Sequence, residues 1–264
     1  MSPTLRFAAG SDIGRRRSMN QDSACTSSRL LAVADGMGGH AHGEFASSTA
    51  ISALAELDLS LRGVDLAQVD LLATLADAIG QAAAQLTAAA RHDPELRGSG
   101  TTVVAMLVDG TRIGVLHIGD SRAYVLRDGE LGRLTRDHTL VQALVDEGRI
   151  SAEEAEDHPR RSVLVRTLQD GGSVEPDLFE HVAVVGDRYL LCSDGVTAVL
   201  SDPEVHEVLS TLAEPAAVVD RLIELANAGG GPDNITCVVA DLVDGPAATD
   251  ESAPLIVVGA AARG

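Results

Sequence analysis

Five aspartates stand where apolar segments begin or end. Asp35 closes "LLAVAD", Asp120 follows "GVLHIGD", Asp194 follows "RYLLCSD", Asp233 precedes "NITCVVA", and Asp22 leads from "RRRSMNQDSA" into an early strand. Four of the five have glycine beside them, at Gly36, Gly119, Gly195 and Gly229 to Gly231. A single Asp-Gly pair is ordinarily a tight turn. Five such acids are harder to read as turns, because a carboxylate at the mouth of an apolar core costs several kcal/mol unless something pairs with it. If the strands end on one side the acids converge, and carboxylates within a few Å cannot all ionise without cations between them. Oxygen-only ligation suits Mg²⁺ or Mn²⁺ rather than Zn²⁺, since no His/Cys set at ligand spacing accompanies it.

Strand patterns at 6–9, 30–34, 101–108, 113–118, 123–126, 189–192 and 235–243 must position these acids. Asp109-Gly110 and Asp128-Gly129, with Gly186-Asp187 as a weaker signal, predict antiparallel hairpins. Helical patterns cover 44–57 and an alanine-rich 66–90 with Asp65 as N-cap; two more follow Asp202-Pro203 and Glu214-Pro215, where proline suits the first turn. Blocks of antiparallel strands and blocks of helices imply an α+β layered fold, a double layer of strands faced by helices. The polar stretch 135–170 reads as a surface flap that moves, with a Ser-x-x-Glu capping box at Ser151 and Glu154. One domain over 1–243 is expected. The tail 244–264 has linker composition, and its "LIVVGAA" is either an added edge strand or unstructured.

Composition removes several function classes. The net charge of −19 repels nucleic acid and anionic lipid. No apolar run spans a bilayer and the first ten residues lack a secretion signal, so a cytoplasmic protein is expected. Cys25, Cys192 and Cys237 are odd in number, lack CxxC spacing and lie in strand-like runs, which reads as buried thiols. A cysteine phosphatase needs Cys-x5-Arg, but Leu31, Ala198 and Val243 stand at the arginine position.

The segments "RSMNQD", "VADGMGGH", "SGTT", "HIGDSRAY", "LTRDHTLVQALVDEGRI", "LLCSDG" and "DNITCVV", in that order, resemble the bacterial branch of the metal-dependent type 2C Ser/Thr protein phosphatases over nearly the whole chain. The resemblance implies a four-layer αββα sandwich with a binuclear Mn²⁺/Mg²⁺ centre. By motif, Asp35 would bridge both metals, the Gly36 carbonyl would bind one, and Asp194 and Asp233 would complete the ligand set. Asp22 would act through water. Asp120 matches an acid that helps hold a third, weaker metal, Ser162 is an added contact there, and Arg17 matches the arginine that grips the substrate phosphate. The implied reaction is direct attack on phosphoserine or phosphothreonine by a hydroxide shared between two ions. The implied partners are phosphoproteins, a bacterial Ser/Thr kinase and its substrates, met by a monomer.

Two positions depart from the family pattern. Met37 stands where eukaryotic members carry a general-acid histidine, and nearby His40 reads as structural. Ala198 replaces an aspartate, which leaves the third metal short of a ligand. The competing readings are a non-catalytic binding module, which would lose metal acids that are all retained here, and a two-metal nuclease, which the charge disfavours.

Overall fold

The computed structural model describes residues 2–38, 42–172, 175–245 and 254–263. Two antiparallel sheets form its centre. The first has the spatial order β1 (Ser2–Asp12), β12 (Ile235–Gly245), β11 (Arg188–Cys192), β7 (Arg122–Arg127) and β8 (Glu130–Arg133). The second runs β10 (Asp177–Val182), β6 (Arg112–Ile118), β5 (Val103–Asp109), β3 (Leu30–Met37), β2 (Asp22–Thr26) and β13 (Ile256–Gly259). The two-residue strands β4 (Gly100–Thr101) and β9 (Leu168–Gln169) extend from the end of β3.

Three apolar clusters define four layers. Leu31, Val33, Met106, Tyr189, Leu191 and Val238 fill the space between the sheets. Leu30, Ala32, Val103 and Leu116 face α1 (His42–Ser60) and α2 (Leu71–His92) on one side. Leu190, Cys192, Cys237 and Val239 face α6 (Asp202–Thr211) and α7 (Pro215–Ala228) on the other. Successive residues of β3 and β11 therefore enter different cores, which explains why those strands are apolar throughout rather than alternating. All three cysteines are buried and unpaired. No helix among the described residues is long and apolar enough to cross a membrane.

Several expectations change in detail. The stretch 66–90 is not one helix. Asp65 caps a 3-10 turn, Leu66–Gln68, then Asp70 takes Leu72 and Ala73 N–H groups and starts α2, so a second capping carboxylate wins. Asp109-Gly110 and Asp128-Gly129 do close hairpins, and the latter has φ of 52° and 82° as the tight turn requires. Gly186-Asp187 closes none, because β10 and β11 belong to different sheets. The sequence pattern does not mark strand β10, because its alternate residues are exposed and dilute its apolar signal. The tail's apolar run is an edge strand, paired with β2. His40 lies outside the described residues.

Candidate metal centre

Strand pairing alone brings two of the acids together. Asp22 and Asp35 are directly opposite each other in the β2–β3 ladder, a placement that is destabilising for like charges. The threonine pair Thr101-Thr102 fixes Asp35, whose carbonyl accepts from Thr101 Oγ1 (2.9 Å) and Thr102 N–H (2.9 Å) and whose N–H donates to Thr102 Oγ1 (3.0 Å). From the other sheet, Ser193 Oγ donates to Asp22 Oδ2 (2.7 Å), and Asp194 follows it as the first residue of the short helix α5 (Asp194–Thr197). Asp120 lies two residues beyond β6 and two before β7.

The electrostatics are those of crowded carboxylates without enough cations. Burial first, and then the charges of Asp22, Asp194, Asp120 and Asp233, push the Asp35 carboxyl well above its ordinary range. Burial lifts Asp22 to about 7 despite hydroxyls from Ser193 and Thr236. Burial with Asp194 beside it raises Asp120 to about 7, and burial with Asp233 beside it raises Asp194 to about 6. Asp194 Oδ1 is buried and receives no hydrogen bond. A buried acceptor of this kind and several hard oxygen donors held apart only by repulsion fit divalent cations.

The fifth acid joins through the N-terminal loop. Arg17 Nη2 meets Asp233 Oδ2 at 2.6 Å, so the arginine stands at the acid cluster while half exposed. Asn234 builds this arrangement: its Nδ2 donates to the carbonyls of Ile13 and Met19 (both 2.9 Å), and its Oδ1 accepts from Gln21 N–H (2.8 Å). Arg15 N–H also donates to the Gly231 carbonyl (2.8 Å). The Arg15–Arg17 run is thus wrapped round the loop that carries Asp233.

Residues 135–170 form one wall of a cleft of about 680 Å³. Its short helices α3 (Leu140–Asp146) and α4 (Ala152–Glu156) face α5 and α6 across it. Asp120 and Asp194 stand in this cleft, with Ala198 beside them and the exposed Ser162 on the flap side.

A second set of possible ligands sits apart, in a place that sequence spacing could not reveal. His117 of β6, His138 of the loop before α3 and Asp177 of β10 present ligand atoms within 4.8 Å of one another. His117 has a buried Nδ1 without a hydrogen-bond partner, but the hydrogen bonds of His138 argue against a metal on that residue. His138 Nδ1 accepts from Gly119 N–H (3.1 Å), so Nε2 carries the proton toward Asp177 Oδ2 (3.0 Å), and a metal on Nε2 would demand an imidazolate.

Comparison with known proteins decides the family. The profile described as protein phosphatase 2C matches residues 9–228. The chain belongs to the protein phosphatase 2C family. It is 53% identical over 240 residues to the serine/threonine protein phosphatase PstP of Mycobacterium tuberculosis, covering 91% of this chain and 45% of PstP, so it spans about half of that relative's length. The crystal structure of the M. tuberculosis serine/threonine phosphatase PstP/Ppp superposes with a TM-score of 0.86 at 52% identity, covering 91% of this chain and 100% of that one. The PstP catalytic domain in complex with two manganese ions gives 0.84 at 51% identity, covering 92% and 100%.

The phosphatase 2C motifs also contain residues that the sequence reading passed over. Thr101 and Thr102 of "SGTT", Ser193 of "CSDG" and Asn234 of "DNIT" hold the acids in place; Ser193 and Asn234 are signalled by an adjacent acid, whereas the two threonines have no acid beside them and are signalled only by the motif itself. Gly36 has a packing reason in addition to any role for its carbonyl. A Cβ there would lie 2.1 Å from the Gly43 carbonyl oxygen, where α1 crosses the end of β3.

Proposed function

We propose that this chain is a metal-dependent phosphatase acting on phosphoserine and phosphothreonine in proteins. The observation that carries the reading is the cluster of Asp22, Asp35, Asp120 and Asp194, each carboxyl lifted above its ordinary range, with Arg17 at its edge. Asp35, Asp194 and Asp233 would hold two Mn²⁺ or Mg²⁺ ions together with the Gly36 carbonyl, Asp22 would act through water, and Asp120 with Ser162 would serve a weaker third. When bound, the cations supply Lewis acidity and bring the pKa of water toward neutrality.

The chain's own residues do the rest. Arg17 offers a planar fork matched to two phosphate oxygens, and exchanging part of its bond to Asp233 for that contact orients the phosphorus toward the acid cluster. Thr101, Thr102 and Ser193 keep the carboxylates fixed so that little reorganisation accompanies the reaction. The segment 135–170 forms a movable wall that admits the peptide; few of its side chains are buried, Val141 and Leu168 among them. Met37 donates no proton, so β3 supplies no general acid at that position. Bacterial Ser/Thr kinases and their products are the partners this chemistry opposes, encountered as a monomer, and three buried free thiols suit a reducing cytoplasm.

The test is phosphate release from a phosphothreonine peptide by chelator-treated protein, with and without added Mn²⁺. Release that requires Mn²⁺ and disappears in Asp35→Asn supports the reading. Release that is indifferent to metal, or none with metal present, overturns it.

A further inference from the structure

Strand β13 reaches the acid cluster from behind. Ile256 to Gly259 pair antiparallel with Thr26 to Ser23, so the strand ends beside Asp22. Leu255 and Val257 pack into the helix-side core and Val258 into the core between the sheets, as alternation along a strand requires. Gly259 lies so close that a Cβ would sit 2.2 Å from the Asp22 carbonyl oxygen, and its φ of +79° favours glycine as well. The profile match ends at residue 228, well before this segment.

A directed hydrogen-bond chain continues from there. Ala261 N–H donates to Ser23 Oγ (3.1 Å), Ser23 Oγ meets Ser47 Oγ (2.9 Å), and Ser47 Oγ donates to the Gln21 carbonyl (2.6 Å). With the Ser47 proton on Gln21, Ser23 must be the donor to Ser47, so all three bonds run one way and reinforce one another. The peptide from Gln21 to Ser23, which carries Asp22, is thereby gripped by the C-terminal segment and by α1.

We infer that the segment Gly259–Ala261 is a positioning element for Asp22, so that docking of the tail and binding of divalent metal are coupled. This rests on the proposed role of Asp22 beside the metals. Residues that orient a metal's ligands and waters are commonly worth 10- to 100-fold in affinity. Because coupling is reciprocal, metal should also tighten the tail.

Mn²⁺ titration calorimetry on chelator-treated protein tests it, comparing the full chain, a chain ending at residue 245, Gly259→Val and Ile256→Ala. The truncated chain and Gly259→Val are expected to bind Mn²⁺ about 10-fold more weakly. A peptide of residues 254–264 added in trans should restore the truncated chain. Ile256→Ala, at the far end of the strand opposite Thr26, should lower Tm with an unchanged Mn²⁺ Kd, which a purely stabilising strand would not distinguish from Gly259→Val. Amide exchange at 256–261 should slow when Mn²⁺ is added to the full chain. Equal Kd values for the full chain and Gly259→Val overturn the inference, and this comparison stands even if the truncated chain fails to fold. A full chain that binds no Mn²⁺ overturns the proposed metal centre instead.

Discussion

Asp22 and Asp187 are equally buried, each 1% exposed, yet the protein treats their charges in opposite ways. Asp187 accepts from Arg127 Nε (2.7 Å) and Nη2 (2.6 Å), from Tyr189 Oη (2.7 Å) and from Val184 N–H (2.7 Å). Against the upward push of burial, Arg127 and these donors hold its carboxyl below the ordinary range. Asp241 is held by Arg188 Nε and Nη2, while Arg188 Nη1 reaches the carbonyls of Leu209 and Leu212 and Nη2 also that of Ala213, at and just beyond the end of α6. Asp22 has only hydroxyls and neighbouring acids, and its carboxyl goes up. Burial thus does not separate the acids of the cluster from the others. The lack of a cationic partner within the chain does, since a buried charge is tolerated only when paired.

The largest expected effects come from exchanging these roles by mutation. Asp35→Asn should abolish Mn²⁺ binding and lower phosphopeptide turnover by about 1000-fold or more, because it removes charge on which the cations depend. Its metal-free form should be no less stable than the parent, having lost one of several mutually repelling carboxylates. Asp187→Asn should do the reverse. It leaves Arg127 without its anion and turns an amide toward Val184 N–H, at a cost of about 2 to 3 kcal/mol, the low end because that arginine is one-third exposed. Its Mn²⁺ affinity should be unchanged. Thermal unfolding and calorimetry on both variants check this, and a metal-free Asp35→Asn that unfolds as readily as Asp187→Asn would erase the distinction.

Arg17 tests the one point at which an arginine does meet the cluster. Removing a hydrogen bond to a charged group costs roughly 1.5 to 3 kcal/mol, so Arg17→Ala should lower kcat/KM by about 10- to 150-fold with central metal binding retained. Arg15→Ala and Arg16→Ala should change it far less, since only Arg17 among the three pairs with Asp233. Equal losses in all three variants would make the run a diffuse basic patch.

The acids were legible in the sequence because each stands where an apolar run begins or ends, four of the five beside glycine, a pattern that local structure alone does not explain. The two-sheet sandwich was legible for a related reason: β3, β11 and β12 are apolar on both faces, which only buried central strands require. What was hidden depends on partners distant in the chain. That Asp22 lies opposite Asp35 follows from a register set by the whole sheet, and the His117–His138–Asp177 set joins two strands and a loop. Asp187 and Asp241 look no different from Asp22 in a string of letters. Only the fold shows which acid has an arginine.

Titration should separate the two groups of acids next. Asp22, Asp120 and Asp194 have folded values of about 7, 7 and 6, above the unfolded carboxyl value. A raised carboxyl contributes stability that is fully present below about pH 4 and is lost as the pH rises through the folded value. The metal-free protein should therefore lose Tm between about pH 5 and pH 8, by roughly 5 °C or more. Mn²⁺ should restore more Tm at the upper end, because binding displaces those protons. Asp187, lowered, contributes stability lost only as the pH falls toward its own value, so Asp187→Asn should leave this slope unchanged. A metal-free Tm that is flat from pH 5 to 8 would show that the cluster carries no such strain.

The smallest effect concerns the edge of the cluster. Asp120 and Ala198 line the same cleft, and Ala198 sits one helical turn beyond Asp194, to whose carbonyl its N–H donates (2.7 Å). With alanine there, a third cation would meet one carboxylate fewer, and affinity at such sites follows the count of charged ligands. Ala198→Asp should lower the Mn²⁺ concentration needed for full phosphopeptide turnover by about 2- to 10-fold, while Asp120→Ala should reduce turnover and leave the two tightest Mn²⁺ sites intact. The cost falls on the empty protein: a further acid beside Asp120 and Asp194 adds repulsion, so metal-free Ala198→Asp should melt below the parent at about pH 8 and approach it near pH 5. Turnover that saturates at the same Mn²⁺ concentration in parent and Ala198→Asp would mean that this part of the cleft holds no working cation. Asp120 would then belong with Asp187, an acid kept for structure.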